Sequence, residues 1–285
     1  MFKKILLISN KSTRGIIDSL HKVIDYLQGK QIAIVLDEFT AALIPERKLA
    51  SLKDGGIEDC DLAIAIGGDG TMLRAAHLLT DYDIPLLGIN HGRLGFLADI
   101  PADSMTAYLE RIMAGEYVED RRIQLFCEVM RDGETLLVRH AFNDVIVQKG
   151  NVARLMELDT FVNADLLHHQ RSDGMIVASP TGTTAYALSG GGPILHPALD
   201  ALVLVPICPH TLSNRPIVID GNSTIRIAVV TQQEDPAKLT CDGEIVCDLN
   251  IGDSVRVEKK HRTIRLIHPI GHDHFSILRA KLGWG

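Results

Sequence analysis

Cysteine is scarce in this sequence, and the few cysteines present are poorly placed for cross-linking. Five occur, an odd number, and no two form a C-x-x-C pair. A disulfide framework or a zinc site would need paired or closely spaced cysteines. We therefore expect reduced thiols, as in a cytoplasmic protein. The cysteines are Cys60, Cys127, Cys208, Cys241 and Cys247.

Long apolar runs and an excess of basic residues are also missing. No apolar stretch approaches the roughly 20 residues that a membrane-spanning helix needs. The first ten residues include polar Ser9 and Asn10 and no small-residue cleavage site, so they predict a first strand and not a signal peptide. The formal net charge of −7 argues against a nucleic-acid partner. We expect neither a membrane nor a nucleic acid as partner, although a few backbone N–H groups could still hold a small phosphate ligand.

The pattern of predicted elements divides the chain into two domains, as its 285 residues suggest. Residues 1–100 alternate apolar strands with helical periodicity, which is typical of a parallel sheet built from βαβ units. Residues 101–270 contain repeated short strands separated by turn residues, which predict an antiparallel, β-sandwich-like domain. The fold class is α+β overall: an α/β N-terminal domain, possibly completed by residues 271–285, and a β-rich C-terminal domain.

The segment at residues 61–71 reads DLAIAIGGDGT, an apolar strand followed by three glycines around one carboxylate. Glycine permits positive φ and a close approach of a ligand to the backbone. Thr71 can cap the helix that follows, whose N-terminus attracts phosphate. Because Asp69 cannot receive an anion, we expect it to accept a proton from a substrate hydroxyl that attacks a phosphoryl group. An ordinary strand-to-helix turn is the alternative, which the three glycines disfavour.

The common nucleotide-binding signatures are absent. The sequence has no G-x-x-x-x-G-K-[ST] loop and no G-x-G-x-x-G after a strand. Any nucleotide is therefore held by another scheme.

Asn143 and Asp144 stand just before an apolar run. Asn offers a donor and an acceptor, and Asp accepts from O–H, so the pair suits the two hydroxyls of a ribose. Taken alone, however, an Asn-Asp pair is better explained as an ordinary turn than as a ribose-binding site.

A second glycine-rich stretch spans residues 172–193 and contains PTGTTAY and SGGGP. Small residues leave room for a ligand, hydroxyls can bond its polar atoms, and Tyr186 can lie against an adenine. An irregular connector is the alternative, but loops of this length are usually functional.

Two histidine groups look like metal ligands at first sight: His168-His169 and His272-Asp273-His274. Neither has the i, i+4 spacing of H-E-x-x-H, and no nearby cysteine or carboxylate completes a ligand set. We expect solvated or hydrogen-bonded histidines.

Taken together, these blocks resemble the NAD kinase family. The matching stretches are GGDGT at 67–71, FND at 142–144 and RSDGMIVASPTGTTAYALSGGGPI at 171–194. INHGRLGFL at 89–97, LVPICPHTLSNRPIV at 204–218 and CDGE at 241–244 also look like family segments. The resemblance runs in order along nearly the whole chain, and the 171–194 block is its most specific part.

The resemblance implies an enzyme that transfers the γ-phosphoryl of ATP to the 2′-hydroxyl of the adenosine ribose of NAD. Asp69 would be the proton acceptor, and Mg²⁺ would be carried by ATP without protein side chains. Family members are dimers or tetramers. The phosphate loop would comprise Gly67, Gly68, Gly70 and Thr71. The implied NAD-binding residues are Asp69, Gly70, Arg74, Asn143, Asp144, Arg154, Arg171, Asp173, Thr184, Ala185, Tyr186, Ala187, Leu188 and Ser189.

Two positions depart from the family pattern. Many members have Glu at the position of Asp144, which leaves the partner of the shorter side chain open. Glu244 stands where Gln is frequent and could alter the preference between NAD and NADH.

Two other functions fit parts of the sequence. Lipid kinases of the diacylglycerol type share GGDGT, but no amphipathic basic helix is present here. A dinucleotide sensor without catalysis is the second alternative, and retention of the whole GGDGT argues against it. The sequence leaves open whether ATP or polyphosphate is the donor.

Overall fold

The computed structural model of the protein describes residues 2–92, 94–150, 155–211, 213–231 and 236–284. Arg154, a predicted NAD contact, lies outside these residues. Within them, no helix combines the length and the apolar character needed to cross a membrane. The chain forms two compact units, Met1–Arg121 with Ile264–Gly285, and Arg122–Thr263.

The first unit is built around a sheet whose core strands are parallel. Helix α1 packs on it with Ile16, Leu20 and Leu27 among its buried residues, at the helical spacing seen in the sequence. Strand β4 is buried at every position, as expected for a central parallel strand. The elements are β1 (Lys4–Ile8), α1 (Arg14–Gly29), β2 (Ala33–Leu36), α2 (Glu38–Leu43), β3 (Ala50–Ser51), β4 (Leu62–Gly67), α3 (Asp69–Leu78), β5 (Leu86–Asn90), β6 (Ile100–Pro101), α4 (Met105–Met113) and β7 (Tyr117–Arg122).

The second unit consists of two six-stranded antiparallel sheets that share one apolar core. The strand orders are β15-β14-β13-β10-β17-β18 and β12-β11-β16-β19-β8-β9. Its elements are β8 (Leu125–Arg131), β9 (Glu134–Ala141), β10 (Asp144–Gln148), β11 (Met156–Val162), β12 (Asp165–Ser172), β13 (Gly174–Ala178), α5 (Tyr186–Ser189), β14 (Ala201–Ile207), β15 (Ile217–Asp220), β16 (Ile225–Val229), β17 (Ala237–Cys241), β18 (Glu244–Leu249) and β19 (Ser254–Lys259).

The chain then returns to the first unit with β20 (Ile264–Pro269) and α6 (His274–Leu282). The first sheet has the order β3-β2-β1-β4-β5-β20-β7, with β6 paired to β5. The α/β plus antiparallel β architecture predicted from the sequence is confirmed. The division between units lies later than residue 100 and earlier than residue 270, because α4 packs on α1 and β20, and β20 pairs with β5.

One local expectation is wrong in detail. The sequence predicts that Thr71 caps the helix after the loop, but α3 begins at Asp69 and Gly68 is its N-cap. Thr71 lies inside the first turn, where its hydroxyl accepts from the Gly68 N–H.

Candidate active site

The carboxyl ends of four neighbouring strands meet at one edge of the first sheet. Strands β2, β1, β4 and β5 lie side by side and run parallel. Ser9 follows β1, Asp37 follows β2, Gly68 follows β4, and Asn90 ends β5. Ligands of open parallel sheets bind at this edge. The fold therefore presents the 67–71 loop where a ligand site is expected.

The Asp69 carboxylate is held by the backbone of a distant loop. Its Oδ2 accepts from the Phe96 N–H at 2.9 Å, and its Oδ1 accepts from the Leu97 N–H at 3.0 Å. A Cβ on Gly95 would overlap Asp69 Oδ1, so only glycine allows this approach. Since a carboxylate oxygen can accept about two hydrogen bonds, each oxygen keeps capacity for a substrate hydroxyl.

The 95–97 loop is a part of the site that sequence reasoning missed. Its residues lie inside the INHGRLGFL segment, in which no side chain indicates a role. A backbone N–H donor carries no side-chain signature, so only Gly95 could have indicated that another group comes close at this point.

The glycines of the 67–71 loop provide space and not unusual backbone angles. None of Gly67, Gly68 and Gly70 has a positive φ. A Cβ on Gly67 would overlap the hydroxyl of Thr71, which donates to Asn10 Oδ1 at 2.6 Å. A Cβ on Gly68 would meet nothing within 4 Å. Gly67 thus makes room for Thr71, and Gly68 leaves open space at the first turn of α3.

Arg74 is engaged within its own unit. Its guanidinium donates to the Ser9 carbonyl at 2.8 Å, pairs with Asp37 at 2.6 Å and lies 5.7 Å from the centroid of the Phe39 ring. Asp37 is buried and also caps α2. These contacts tie β1 to the turn after β2. A role of Arg74 as a dinucleotide ligand stays a prediction.

In the second unit, the FND block packs directly on the PTGT turn. The Ser179 N–H donates to the Asn143 carbonyl at 2.8 Å, and the Ser179 hydroxyl donates to the Phe142 carbonyl at 2.6 Å. The Gly182 N–H donates to Ser179 Oγ at 3.2 Å, and a Cβ on Gly182 would overlap the Asn143 carbonyl. Two blocks that are far apart in the sequence therefore form one structural element.

Asp242 organises the FND block from the β17–β18 turn. Its Oδ2 accepts from the Phe142 N–H at 2.7 Å, and its Oδ1 accepts from the N–H groups of Asn143 and Asp144 at 2.7 and 3.0 Å. The Asp242 backbone has φ of 50°, and its N–H donates to the Asp144 carbonyl at 3.0 Å. This residue lies in the CDGE segment, and sequence reasoning missed its role.

Asp144 is the most perturbed carboxyl of this region. It is buried, with an exposed fraction of 3%. Burial, and then the nearby charge of Asp242, raise its pKa to about 7. Near neutral pH this group can therefore either donate or accept a hydrogen bond. Such a carboxyl is a candidate for a functional role.

The predicted adenosine-binding residues follow the same turn. A 3₁₀ turn, Thr181–Thr184, leads into α5. Tyr186 is 43% exposed, whereas Ala187 is fully buried in an apolar cluster and presents no side-chain surface. Ser189 is exposed, and Thr184, Ala185 and Leu188 are half-buried.

Comparison with known proteins identifies the family. The model of the ATP-NAD kinase N-terminal domain matches residues 5–117, and that of the ATP-NAD kinase C-terminal domain matches residues 142–269. An NAD kinase of Nitrosococcus oceani is 46% identical over 285 residues, which cover 100% of this chain and 97% of that protein. The chain belongs to the ATP-NAD kinase family.

Other kinases of this kind also match nearly the whole chain. An NAD kinase of Nitrosomonas europaea is 45% identical, with 100% of this chain and 96% of that protein covered. A solved yeast NADH kinase complexed with NADH matches with a TM-score of 0.90 and 26% identity, covering 99% of this chain and 88% of that one. An Archaeoglobus fulgidus NAD kinase in complex with ATP matches with a TM-score of 0.74, covering 97% and 99%, and its 22% identity supports the fold alone.

Two of the residues that the ATP-NAD kinase resemblance implies lie apart from the FND block. In the β10–β13 pair, Asp144 faces Ala178 and Gln148 faces Gly174. Asp173 therefore lies at the other end of these strands, roughly 14 Å away at 3.4 Å per residue. Its Oδ1 pairs with Lys149 Nζ at 2.6 Å. Arg171, on the same side, lies 3.4 Å from Glu157 and is exposed.

Proposed function

We propose that this chain is an NAD kinase, which transfers the γ-phosphoryl group of ATP to the 2′-hydroxyl of the adenosine ribose of NAD. The observation that carries the proposal is the Asp69 carboxylate, presented by two backbone N–H groups within a glycine loop at the ligand edge of a parallel sheet. Membership of the ATP-NAD kinase family supports it.

In this reaction the ribose hydroxyl oxygen bonds to the γ-phosphorus, and the bond from that phosphorus to the bridging oxygen breaks, releasing ADP. Asp69 orients the hydroxyl and takes its proton as the new bond forms. The transition state of phosphoryl transfer is loose, so positioning and charge neutralisation supply most of the catalysis.

The first turn of α3 suits the ATP phosphates. Its backbone N–H groups and helix dipole favour an anion, and the open space beside Gly68 lets phosphate oxygens approach. Mg²⁺, carried by the phosphates, would neutralise charge on the phosphoryl oxygens. Gly70 and Thr71 complete the loop in this proposal.

The second unit supplies the dinucleotide contacts. Asn143 and Asp144 would bind ribose hydroxyls, and Asp242 fixes the backbone of both residues by accepting from their N–H groups. Tyr186, with its exposed ring, would lie against the adenine. Thr184, Ala185 and Ser189 line the same turn.

A homodimer or homotetramer is part of the proposal. Edge strands of both sheets of the second unit carry exposed apolar side chains, including Val138 on β9, Val218 on β15 and Ile245 on β18. Exposed apolar edges favour association. Arg171 and Asp173, remote from Asn143 in one chain, could then reach a dinucleotide bound to a second copy. Light scattering of the purified protein tests the assembly.

We also propose that the protein is located in the cytoplasm. All five cysteines are free thiols, which suits a reducing compartment.

Incubation of the purified protein with Mg²⁺ and each combination of donor and acceptor tests the activity. ATP and polyphosphate serve as donors, and NAD, NADH and diacylglycerol as acceptors. We expect NADP from ATP and NAD. Phosphorylated diacylglycerol would indicate a lipid kinase, and dinucleotide binding without any product would indicate a sensor.

A further inference from the structure

Two histidines and one aspartate of the first unit converge on a single point. Asp99 Oδ2 lies 2.9 Å from His268 Nδ1 and 2.7 Å from His272 Nδ1. The two imidazole rings stack with centroids 3.8 Å apart. The sequence predicts an ordinary histidine at His272, because no nearby carboxylate completes a ligand set. The fold supplies that carboxylate from 173 residues away.

The cluster is buried and its hydrogen bonding is incomplete. The side chain of His268 is 1% exposed and that of Asp99 is 10% exposed. Among the described residues, neither His268 Nε2 nor Asp99 Oδ1 has a hydrogen-bond partner. Buried polar atoms are rarely left unpaired, so each of these atoms requires an explanation.

A carboxylate lies near each ring nitrogen of His268. Its Nδ1 lies 2.9 Å from Asp99 Oδ2, and its Nε2 lies 3.9 Å from the Asp120 carboxylate. A cation bound at Nδ1 moves the ring proton to Nε2, which then points toward Asp120. In metal sites, the ring N–H of histidine that does not bind the metal commonly donates to a carboxylate of this kind.

We propose that Asp99, His268 and His272 bind one divalent cation of the Zn²⁺ class. Two imidazole nitrogens and one carboxylate oxygen are the ligands of open, three-residue zinc sites, whereas Mg²⁺ prefers oxygen alone. All three ligand atoms lie within 4.8 Å of one another. Bond lengths near 2.1 Å require the Nδ1 and Oδ2 atoms to separate by roughly half an ångström, and the two stacked rings must turn so that both Nδ1 lone pairs point at the cation.

The fourth position of the cation would face a surface cavity. Asp99 and His272 line this cavity together with Leu94, Tyr108 and Ile277. A water molecule or a small ligand can enter there. The bound cation would fasten the β20–α6 connection to the segment that precedes β6.

Metal titration of the full-length protein tests the site. The protein is first freed of metal with a chelator, which is then removed. Co²⁺ and Zn²⁺ are added in the presence of excess Mg²⁺, and binding is followed by the visible absorption of tetrahedral Co²⁺ and by calorimetry. We expect one cation per chain with a dissociation constant of about 1 µM or tighter.

Three variants locate the binding. His272→Phe keeps a ring stacked on His268, and Asp99→Asn keeps the side-chain shape. Each should weaken binding at least tenfold. His261→Phe, which removes an exposed histidine of the second unit, is the matched control and should bind as the wild type does. Circular dichroism confirms folding of each variant.

Two results would overturn the site: no stoichiometric cation in the wild type, or equal binding by His272→Phe and Asp99→Asn. If a variant does not fold, nitrogen NMR of the wild-type rings decides. Zn²⁺ must then shift Nδ1 of both His268 and His272, and unchanged resonances reject the proposal.

Discussion

Asp69 and Asp242 are both carboxylates bound by the backbone of a distant segment, yet they use this bonding differently. Asp242 accepts three N–H groups, two of them on Oδ1, and fixes the course of the FND block. Asp69 accepts one N–H on each oxygen. Asp242 fixes the backbone of the FND block. Asp69 is instead held in place by backbone N–H groups, and each of its oxygens can still accept a hydrogen bond from a substrate. Substitutions in the two regions should therefore separate catalysis from stability.

The largest effect is expected for Asp69→Asn. The amide cannot accept the proton of the ribose hydroxyl, so kcat should fall by about 10²–10⁴-fold. NAD binding should persist, because the side chain keeps its size. Steady-state NADP formation and a direct NAD-binding measurement test both statements. Wild-type kcat in this variant would remove Asp69 from the mechanism.

Gly95→Ala should have the next largest effect. The added Cβ overlaps Asp69 Oδ1 and displaces the carboxylate. A displacement of about 1 Å can cost on the order of 10²-fold in rate, so we expect kcat to fall by roughly 10–100-fold. Gly29→Ala at the end of α1, where a Cβ meets nothing within 4 Å, is the matched control. Equal kcat values for the two variants would contradict the role of the 95–97 loop.

Asp242→Ala should act mainly on stability and NAD affinity. Three N–H groups lose their acceptor, and we expect the free energy of unfolding to fall by about 2–3 kcal/mol. The KM for NAD should rise, with a smaller change in kcat. Asp132→Ala is the control, because Asp132 has the same left-handed backbone before a glycine in the β8–β9 hairpin. If both variants lose equal stability in urea, the backbone angle and not the hydrogen bonds explains the loss.

The smallest effect concerns pH and Asp144. Its pKa is 3.8 when unperturbed and about 7 in the folded protein. Between these values the folded state binds the extra proton, so this contribution to stability is present at low pH and is lost as pH rises toward 7. Between pH 6 and pH 7 the free energy of unfolding should fall by about 1 kcal/mol more in the wild type than in Asp144→Asn. Parallel urea midpoints across this range would show that Asp144 is not perturbed.

Much of the fold follows from patterns within short stretches of sequence. Helical spacing correctly predicts the buried face of α1, and the apolar run before GGDGT correctly predicts β4. The predicted division at residue 270 differs from the structure because it assigns residues 264–269 to the β-rich domain. The alternation of apolar and polar residues in this segment would be the same in either sheet. Only the pairing with β5 assigns the segment to the first unit.

The candidate site is predictable where side chains carry the chemistry. Asp69, Asn143 and Asp144 are visible as motifs. The 95–97 loop and Asp242 are not, because their contribution depends on backbone N–H groups and on contacts between residues far apart in sequence. Arg74 shows the opposite case. The family resemblance implies a ligand contact for Arg74, whereas its guanidinium supports the packing of β1 and β2.

The position of β20 between β5 and β7 has a consequence for protein synthesis. This strand is translated only after the entire second unit, so the nascent first sheet has a gap beside β5 until residues 264–269 leave the ribosome. Asp99 meets His268 only at that stage. Residues 95–97, which hold the Asp69 carboxylate, lie close in sequence to Asp99, so the contact that links this segment to β20 forms only after the second unit has been translated.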